Sequence, residues 1–311
     1  MKTPAVSFEF FPPNDEPTAR HLWEAIRRLT PLHPMFVSVT DGADGSTRAR
    51  TRECVLRMNR ETDLCVVPHL TCIGTSREQT LTLANEYARH GIRHLVALRG
   101  DRPSLIGCAM RDDSLCGDPH RGDFFAHASD LVAALAATDV EISVAAYPEG
   151  HPESAGVAAD VENLKRKVDA GAHRAITQFF FDTDVYLRYR DRCRAAGITI
   201  PIIPGILPIA RFAQLQRFAE RCGASLPNWL HERFAGLDED PDTRRLIASN
   251  VAIEQIERLQ AHGVDEFHFY TLNRAELTYA ICHAIGVRPR AKSAVQVACA
   301  SPVSATIAAN G

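Results

Sequence analysis

The sequence lacks any apolar run near the roughly 18 residues that a membrane-spanning helix needs. The best candidate, residues 198–210, is broken by three prolines and a glycine. The N-terminal region has no apolar stretch followed by a small-residue cleavage site, so no secretory signal is predicted. The net charge of −3 over 311 residues argues against bulk binding of nucleic acid. These absences predict a cytoplasmic protein with neither membrane nor nucleic-acid partners.

Two common nucleotide-binding fingerprints are also absent. No G-x-G-x-x-G follows an apolar run, and no G-x-x-x-x-G-K-[ST] occurs. The nine cysteines are odd in number, irregularly spaced and without a Cys-x-x-Cys pair, which favours free thiols over a disulfide framework. Cys65, His69 and Cys72 lack a fourth ligand at zinc-like spacing, so we predict no metal site.

What is present is an alternation of short apolar runs with longer amphipathic segments. Strands are predicted at 6–10, 36–39, 65–69, 94–98, 142–146, 175–179, 201–203 and 267–270. Helices are predicted near 18–29, 47–61, 76–90, 126–138, 160–170, 184–196, 210–221, 243–262 and 274–285. The pattern predicts a single-domain α/β protein with a (β/α)8 TIM-barrel fold. A doubly wound open sheet is the rival, and the missing fingerprints weaken it.

Helix ends carry their own signals. Ser76 with Gln79, and Asn273 with Glu276, have the spacing of capping boxes. Two segments fall outside the alternation. Residues 102–125 form a long insertion after the fourth strand, which is typical of a lid or binding loop. Residues 291–311 are rich in Ala, Ser and Val and are predicted to form a flexible tail after a barrel at 1–290.

Polar residues follow nearly every predicted strand, where a barrel of this kind carries its active site. Glu9 is the most informative of them. Strand alternation places Phe8 and Phe10 on one face and Ser7 and Glu9 on the other. If the phenylalanines pack outward, Glu9 points into the barrel, where loss of hydration favours the protonated carboxyl and lets it act as an acid. A structural glutamate paired with a buried cation is the alternative.

Two further groups suit an anionic ligand. Arg99, Gly100 and Asp101 place a cation, a flexible backbone and an anion just past a strand, although an ordinary turn has the same composition. Residues 160–167 begin a predicted helix, and Arg166 and Lys167 there are suited to clamping a phosphate. A solvated charged face is the alternative for that helix.

Eight segments in order resemble the signature segments of the methylenetetrahydrofolate reductase family. They are SFEFFPP at 7–13, PHLTC at 68–72, LRGD at 98–101, AYPEGHPE at 146–153, LKRKVDAGA at 164–172, ITQFFFD at 176–182, PGILP at 204–208 and HFYTLNR at 268–274. The resemblance covers residues 5–290 and is closest to the short bacterial type, a catalytic barrel alone. It implies a barrel that binds FAD. NADH or NADPH reduces the flavin, which then reduces 5,10-methylenetetrahydrofolate to 5-methyltetrahydrofolate in a ping-pong mechanism.

The resemblance also implies roles for individual residues. Glu9 matches the family's general acid, and Asp101 matches the carboxylate that lies near the flavin and the pterin. Gln178 matches the amide that forms hydrogen bonds with the substrate and with the nicotinamide. The same Glu9 and Gln178, with Gln214, Phe218 and Arg274, match substrate-contact positions. The cofactor positions are Thr40, Asp41, Ala43, His69, Arg99, Gly100, Asp101, Ala128, Tyr147, His151, Asp160, Asn163, Arg166 and Lys167. Family members of this kind usually self-associate, which implies a homo-oligomer.

Two departures from the family pattern bear on the cofactor. Asp41 stands where members usually have an aromatic residue, and its charge would repel a nearby diphosphate. The insertion at 102–125 is longer than in the short bacterial enzymes. Two other readings stay open: a flavin- or folate-binding protein without turnover, and a Schiff-base aldolase. The aldolase needs a lysine on a barrel strand, and all four lysines lie off the predicted strands.

Overall fold

Eight parallel strands close into one barrel in chain order, and β1 pairs with β8 to complete it. The computed structural model describes residues 2–42, 47–100 and 123–289. The strands are β1 Ala5–Phe10, β2 Val37–Val39, β3 Val66–Thr71, β4 His94–Leu98, β5 Glu141–Ala146, β6 Arg174–Phe179, β7 Ile202–Ile206 and β8 Glu266–Tyr270. This topology confirms the predicted (β/α)8 barrel and excludes the open sheet.

Helices follow the strands and form the outer layer. In the described ranges they are α1 Glu16–Leu29, α2 Arg48–Glu61, α3 Arg77–Arg89, α4 Ala128–Leu135, α5 Val157–Asp169, α6 Thr183–Ala195, α7 Phe212–Cys222, α8 Asn228–Phe234, α9 Pro241–Ala261 and α10 Glu276–Ala284. A short 3-10 turn, Thr30–Leu32, extends α1. None of the helices in these ranges is long and apolar enough to cross a membrane. The short α8 was not predicted, and most of the 102–125 insertion and the tail lie outside the described residues.

The two faces of each strand contribute to different cores. Phe8 and Phe10 are buried in the large cluster between the strands and the outer helices. Inside the barrel, a smaller cluster packs Phe36, Val67 and Val96 with neighbours from other strands. The outward phenylalanines therefore turn Glu9 inward, as the alternation of β1 predicts.

Buried polar pairs also lie inside the barrel. Ser7 Oγ lies 2.8 Å from His268 Nδ1, and His94 Nε2 lies 2.7 Å from Ser143 Oγ. Phe36 separates the two histidines and contacts both rings. Because buried polar groups are costly without partners, these pairs fix the side chains that face the barrel axis.

The β8–α10 connection is bonded to the end of β1. Asn273 accepts a hydrogen bond from Phe11 N at 3.0 Å and donates one to Phe11 O at 2.9 Å. Leu272 and Asn273 both have left-handed backbones, with φ of 51° and 56°. The predicted capping box of Asn273 with Glu276 is therefore wrong, because the Asn273 side chain is engaged by β1 and α10 begins after Ala275 without a side-chain cap. The other predicted box, Ser76 with Gln79, is confirmed.

Most cysteines for which the structure gives a state are free thiols. They are Cys54, Cys72, Cys193, Cys222 and Cys282. Cys65 is disulfide-bonded, which contradicts the prediction of free thiols at that position. Irregular spacing carries no information on which cysteines approach one another in the fold. Burial raises the pKa of Cys54 to about 12 and that of Cys72 to about 11, so neither thiol is a reactive thiolate near neutral pH.

Candidate active site

Two cavities lie side by side at the carboxyl ends of the strands. The larger has a volume of about 710 Å³ and extends from β2 and β3 toward α5. The smaller, about 330 Å³, lies over the barrel mouth between β1, β6 and β8. They share four lining residues: His69, Leu98, Ala145 and Tyr147. A ligand in the larger cavity therefore borders directly on one in the smaller.

Most of the residues predicted to bind a cofactor line the larger cavity. They are Thr40, Asp41, His69, Arg99, Gly100, Ala128, Tyr147, His151, Asp160, Asn163, Arg166 and Lys167. The remaining two, Ala43 and Asp101, lie outside the described residues. The resemblance predicts fourteen positions, scattered along the chain, for one ligand, and every one that the structure describes borders the same space.

Helix α5 brings four of these side chains to the cavity. Asp160, Asn163, Arg166 and Lys167 recur at the three- and four-residue spacing of one helix face. The Asp160 carboxylate accepts a hydrogen bond from His151 N at 2.8 Å, which fixes the loop after β5 against the helix. This geometry favours the ligand-binding interpretation of the helix over a merely solvated face.

Lys167 is the most unusual group in the larger cavity. Burial lowers its pKa to about 8, and the nearby Asp160 carboxylate opposes that shift. Its Nζ donates a hydrogen bond to Ala145 O at 2.8 Å. A buried ammonium loses hydration and gains most from a nearby negative charge. The residues present therefore fit an anionic group such as a diphosphate.

Arg99 also borders this cavity and already has an anionic partner. Its guanidinium lies 2.6 Å from a Glu153 carboxylate oxygen, and its Nε donates to Gly100 O at 3.1 Å. Glu153 lies in the loop after β5 and lines the same cavity. The pair therefore links the β4 exit to the β5 exit across the opening.

Asp41 lies in the wall of the larger cavity with a basic partner. Its carboxylate is buried, and Oδ2 accepts a hydrogen bond from Thr71 Oγ1 at 2.5 Å. Arg48 Nε lies 3.6 Å from the same oxygen. The negative charge that the sequence places here is thus compensated within the protein.

The smaller cavity is lined by a carboxylate, an amide and several apolar side chains. Glu9 comes from β1, Gln178 from the end of β6 and Phe218 from α7. The Gln178 Oε1 atom accepts a hydrogen bond from Phe179 N at 3.0 Å, next to a register irregularity between β6 and β7. These three residues are the predicted acid, amide and aromatic contact, and the fold brings them into one space.

Two histidines approach the same oxygen of Glu9. His69 Nε2 lies 3.4 Å from Glu9 Oε2, and His268 Nε2 lies 3.7 Å from it. Burial is the main cause that lowers the pKa of His69, which favours a neutral imidazole. Glu9 therefore has no permanent cationic partner at His69.

The floor of the smaller cavity depends on a glycine. Tyr270 donates a hydrogen bond to Thr177 O at 2.7 Å, and its ring lies across Gly205. A Cβ at Gly205 would lie 2.3 Å from Thr177 O and 2.5 Å from the Tyr270 ring. Burial, with the Glu9 carboxylate second, raises the pKa of Tyr270 well above its usual value, so it remains a hydrogen-bond donor.

Two predicted substrate contacts lie apart from these cavities. Gln214 on α7 lines neither of them. Arg274 is exposed and lines a third cavity of about 700 Å³ behind Phe11 and Leu272. The third cavity shares those two residues with the smaller cavity. Arg274 thus borders a separate, neighbouring cavity rather than the barrel mouth.

No role was predicted from the sequence for His268, Tyr270 or Arg48, which shape the site. His268 and Tyr270 face the barrel mouth from β8, and strand alternation in residues 266–270 would have paired them. Arg48 carries no sequence signal, because its role depends on the approach of α2 to β2. In the described ranges, no three His, Cys, Asp or Glu side chains are grouped to hold a metal ion.

Comparisons with known proteins identify the family to which the chain belongs. A family model for methylenetetrahydrofolate reductase matches residues 1–286. The 5,10-methylenetetrahydrofolate reductases of Pectobacterium carotovorum and Escherichia coli K12 are 51% and 50% identical over 285 residues, which cover 91% of each chain. A solved structure, titled as an uncharacterised Clostridium thermocellum protein that binds two copies of 5-methyl-5,6,7,8-tetrahydrofolic acid, aligns with a TM-score of 0.57 at 15% identity over 91% of this chain and 94% of that one. That likeness concerns the fold alone. On the sequence evidence, the chain belongs to the methylenetetrahydrofolate reductase family.

Proposed function

We propose that this enzyme reduces 5,10-methylenetetrahydrofolate to 5-methyltetrahydrofolate, with FAD as cofactor and NADH or NADPH as reductant. The observation that carries the proposal is the position of Glu9. Its carboxylate lines the smaller cavity, whose wall at His69 and Tyr147 is also a wall of the larger cavity, which Arg166 and Lys167 line. The carboxylate that we assign as the acid thus lies beside the space in which we propose that a dinucleotide binds.

The larger cavity has the donor set that an FAD site needs. Lys167 and Arg166 would hold the diphosphate, because both are cations on the cavity face of α5. Thr40, Asp160 and Asn163 offer hydroxyl, carboxylate and amide groups that suit the hydroxyls of the ribityl chain and ribose. When bound, FAD supplies a centre that accepts a hydride from the reductant and gives it to the folate.

Glu9 is the group that we assign to proton transfer. The methylene carbon of the substrate bridges two nitrogens in a five-membered ring. A proton from the Glu9 carboxyl to one nitrogen assists the break of its C–N bond, and the other nitrogen keeps the carbon as a C=N⁺ that accepts the hydride. The product then carries a methyl group on that nitrogen, and Glu9 is left as a carboxylate that regains a proton from solvent.

The remaining lining residues orient the substrate. Gln178 offers an amide to the polar edge of a pterin or a nicotinamide, and Phe218 offers a ring to an aromatic face. The smaller cavity, about 330 Å³, is the space beside the larger cavity that both the reductant and the folate would occupy. Sequential occupation of one space by reductant and folate supports a ping-pong mechanism.

An assay of the purified protein tests this proposal. With FAD, NADH and 5,10-methylenetetrahydrofolate, we expect 5-methyltetrahydrofolate as product. Parallel double-reciprocal lines are expected when the fixed concentration of NADH is varied, because the two half-reactions are separate. NADPH in place of NADH identifies the preferred reductant. FAD-independent turnover, or a different folate product, would contradict the proposal.

The other predictions made from the sequence remain proposals. We propose that the barrel spans 1–290, that 291–311 is a flexible tail, and that the chain forms a homo-oligomer. We also propose a cytoplasmic location. Sedimentation analysis of the purified chain, with and without residues 291–311, tests the oligomer and the tail together.

A further inference from the structure

The start of α2 forms hydrogen bonds with the segment 40–42, which follows β2 and borders the larger cavity. Thr51 Oγ1 donates a hydrogen bond to Thr40 O at 2.9 Å, and Thr47 Oγ1 accepts one from Gly42 N. Arg48, between them, reaches Asp41. One helical turn thus holds the Thr40–Asp41–Gly42 segment, and Thr40 and Asp41 line the cavity.

Arg48 and Asp41 are also joined through Thr71 at the end of β3. The Arg48 guanidinium donates to Thr71 O at 3.2 Å and to Thr71 Oγ1 at 3.1 Å. Thr71 Oγ1 donates in turn to Asp41 Oδ2 at 2.5 Å. The Asp41 side chain is only 2% exposed, compared with 23% for Arg48. The carboxylate is therefore fixed in place by two neighbours rather than by water.

The compensation of the Asp41 carboxylate is nevertheless incomplete. Its second oxygen, Oδ1, is buried and finds no hydrogen-bond partner among the described residues. A buried carboxylate with one free oxygen is costly, and it repels an anion placed beside it. Arg48 is the basic side chain that lies against it, at 3.6 Å. Without that cation, the wall of a cavity suited to a diphosphate would carry an unbalanced negative charge.

We propose that Arg48 is a positioning residue that sets cofactor affinity by neutralising Asp41. This inference rests on the proposed function, because it takes FAD as the ligand of the larger cavity. Arg48 does not line that cavity. Its effect on FAD therefore passes through Asp41, and removing the carboxylate makes the cation unnecessary. That dependence separates this role from a direct contact of Arg48 with the diphosphate.

A double-mutant cycle on the full-length apoprotein tests the inference. FAD dissociation constants are measured by quenching of flavin fluorescence for wild type, Arg48→Met, Asp41→Asn and the double variant. We expect Arg48→Met to weaken FAD binding about tenfold or more, because the uncompensated Asp41 carboxylate would repel the diphosphate. Asp41→Asn should bind at least as tightly as wild type. The double variant should return to within about threefold of wild type.

Two additions keep the test decisive. Thr71→Val removes the hydrogen bond to Asp41 without changing charge, so we expect a much smaller loss of affinity than for Arg48→Met. Arg48→Gln is measured as well, in case Arg48→Met does not fold, and melting temperatures of the apoproteins report structural damage separately. If Asp41→Asn fails to restore affinity to the Arg48 variants, the inference is overturned. If wild type itself binds no FAD, the proposed function fails instead.

Discussion

Glu9 Oε2 lies 3.4 Å from His69 Nε2, at the wall that the two cavities of the site share. Burial lowers the pKa of His69, so the imidazole is neutral near pH 7 and does not hold Glu9 as one half of an ion pair. Glu9 is 19% exposed and faces the smaller cavity. The arrangement is suited to an acid that receives a proton from solvent and delivers it to a bound substrate.

Replacement of Glu9 by Gln should separate the two half-reactions. Flavin reduction by NADH needs no proton from Glu9, so its rate should change less than about threefold. Folate reduction should fall by about 10²–10⁴, the usual contribution of a general acid. Stopped-flow absorbance measures each half-reaction alone. Glu78→Gln, at an exposed position on α3, is the control and should change neither rate. Equal losses in both half-reactions would assign Glu9 a structural role.

Lys167 should contribute to cofactor affinity through its charge. Lys167→Met removes the buried ammonium and should weaken FAD binding about tenfold to a hundredfold, as the loss of a charge-assisted hydrogen bond of about 1.5–3 kcal/mol does. Lys165→Met is the matched control, because Lys165 lies on the same helix but pairs with Asp169 outside the cavity. Equilibrium titration of the apoproteins with FAD measures both. Similar losses for the two variants would point to a general effect of charge.

Gly205 should not tolerate a side chain. Gly205→Ala puts a methyl group against Thr177 O, a backbone atom that cannot move aside, and against the Tyr270 ring. We expect a loss of about 1–3 kcal/mol in the free energy of unfolding, the usual effect of overpacking. The folate half-reaction should slow as well, because Tyr270 lines the smaller cavity. Urea unfolding measures the free energy of unfolding of Gly205→Ala. The control is Ile206→Val, which removes one methylene at the neighbouring position. A stability equal to wild type would show that the strand shifts freely.

Stability should fall as pH decreases below about 6.5, because of buried histidines. Burial lowers the pKa of His94 to about 3 and also lowers that of His69. Between about pH 6.5 and the native pKa, such a histidine is protonated in the unfolded chain but neutral in the native state. Each such histidine therefore contributes a slope of about 1.4 kcal/mol per pH unit in that window.

The variant His94→Gln checks that slope. It should reduce the pH dependence of the free energy of unfolding by about one proton between pH 4 and 6. His90→Gln, at an exposed helix end, is the control and should leave the slope as in wild type. An unchanged slope in His94→Gln would mean that His94 takes up a proton without unfolding of the barrel.

Much of the barrel could be predicted from the sequence, because each strand is a short apolar run between helix signals. The exceptions have local causes. The second half of β7 contains Pro204 and Gly205, which are poor strand residues, yet the close approach of Tyr270 requires the glycine. Asn273 has the spacing of a helix cap, but its side chain bonds to Phe11, 262 residues away in sequence. Local pattern cannot anticipate such a partner.

The candidate site, too, could be predicted from local pattern only in part. The inward face of Glu9 followed from alternation, and the α5 face followed from helical spacing. Arg48 was missed because an ion pair with Asp41 depends on the packing of a helix turn against a strand end. Arg274 was grouped with the substrate contacts, yet it lies behind Phe11 and Leu272 in a separate cavity. Position along a strand predicts which rim a residue reaches, but not which cavity it lines.

The most direct test of the account is the visible spectrum of the purified protein under anaerobic conditions, followed through two additions. With FAD bound, we expect flavin absorbance that bleaches when NADH is added and returns when 5,10-methylenetetrahydrofolate follows. That sequence would establish both half-reactions in one sample. A protein that stays colourless with added FAD, or a reduced flavin that the folate does not reoxidise, would contradict the central claim.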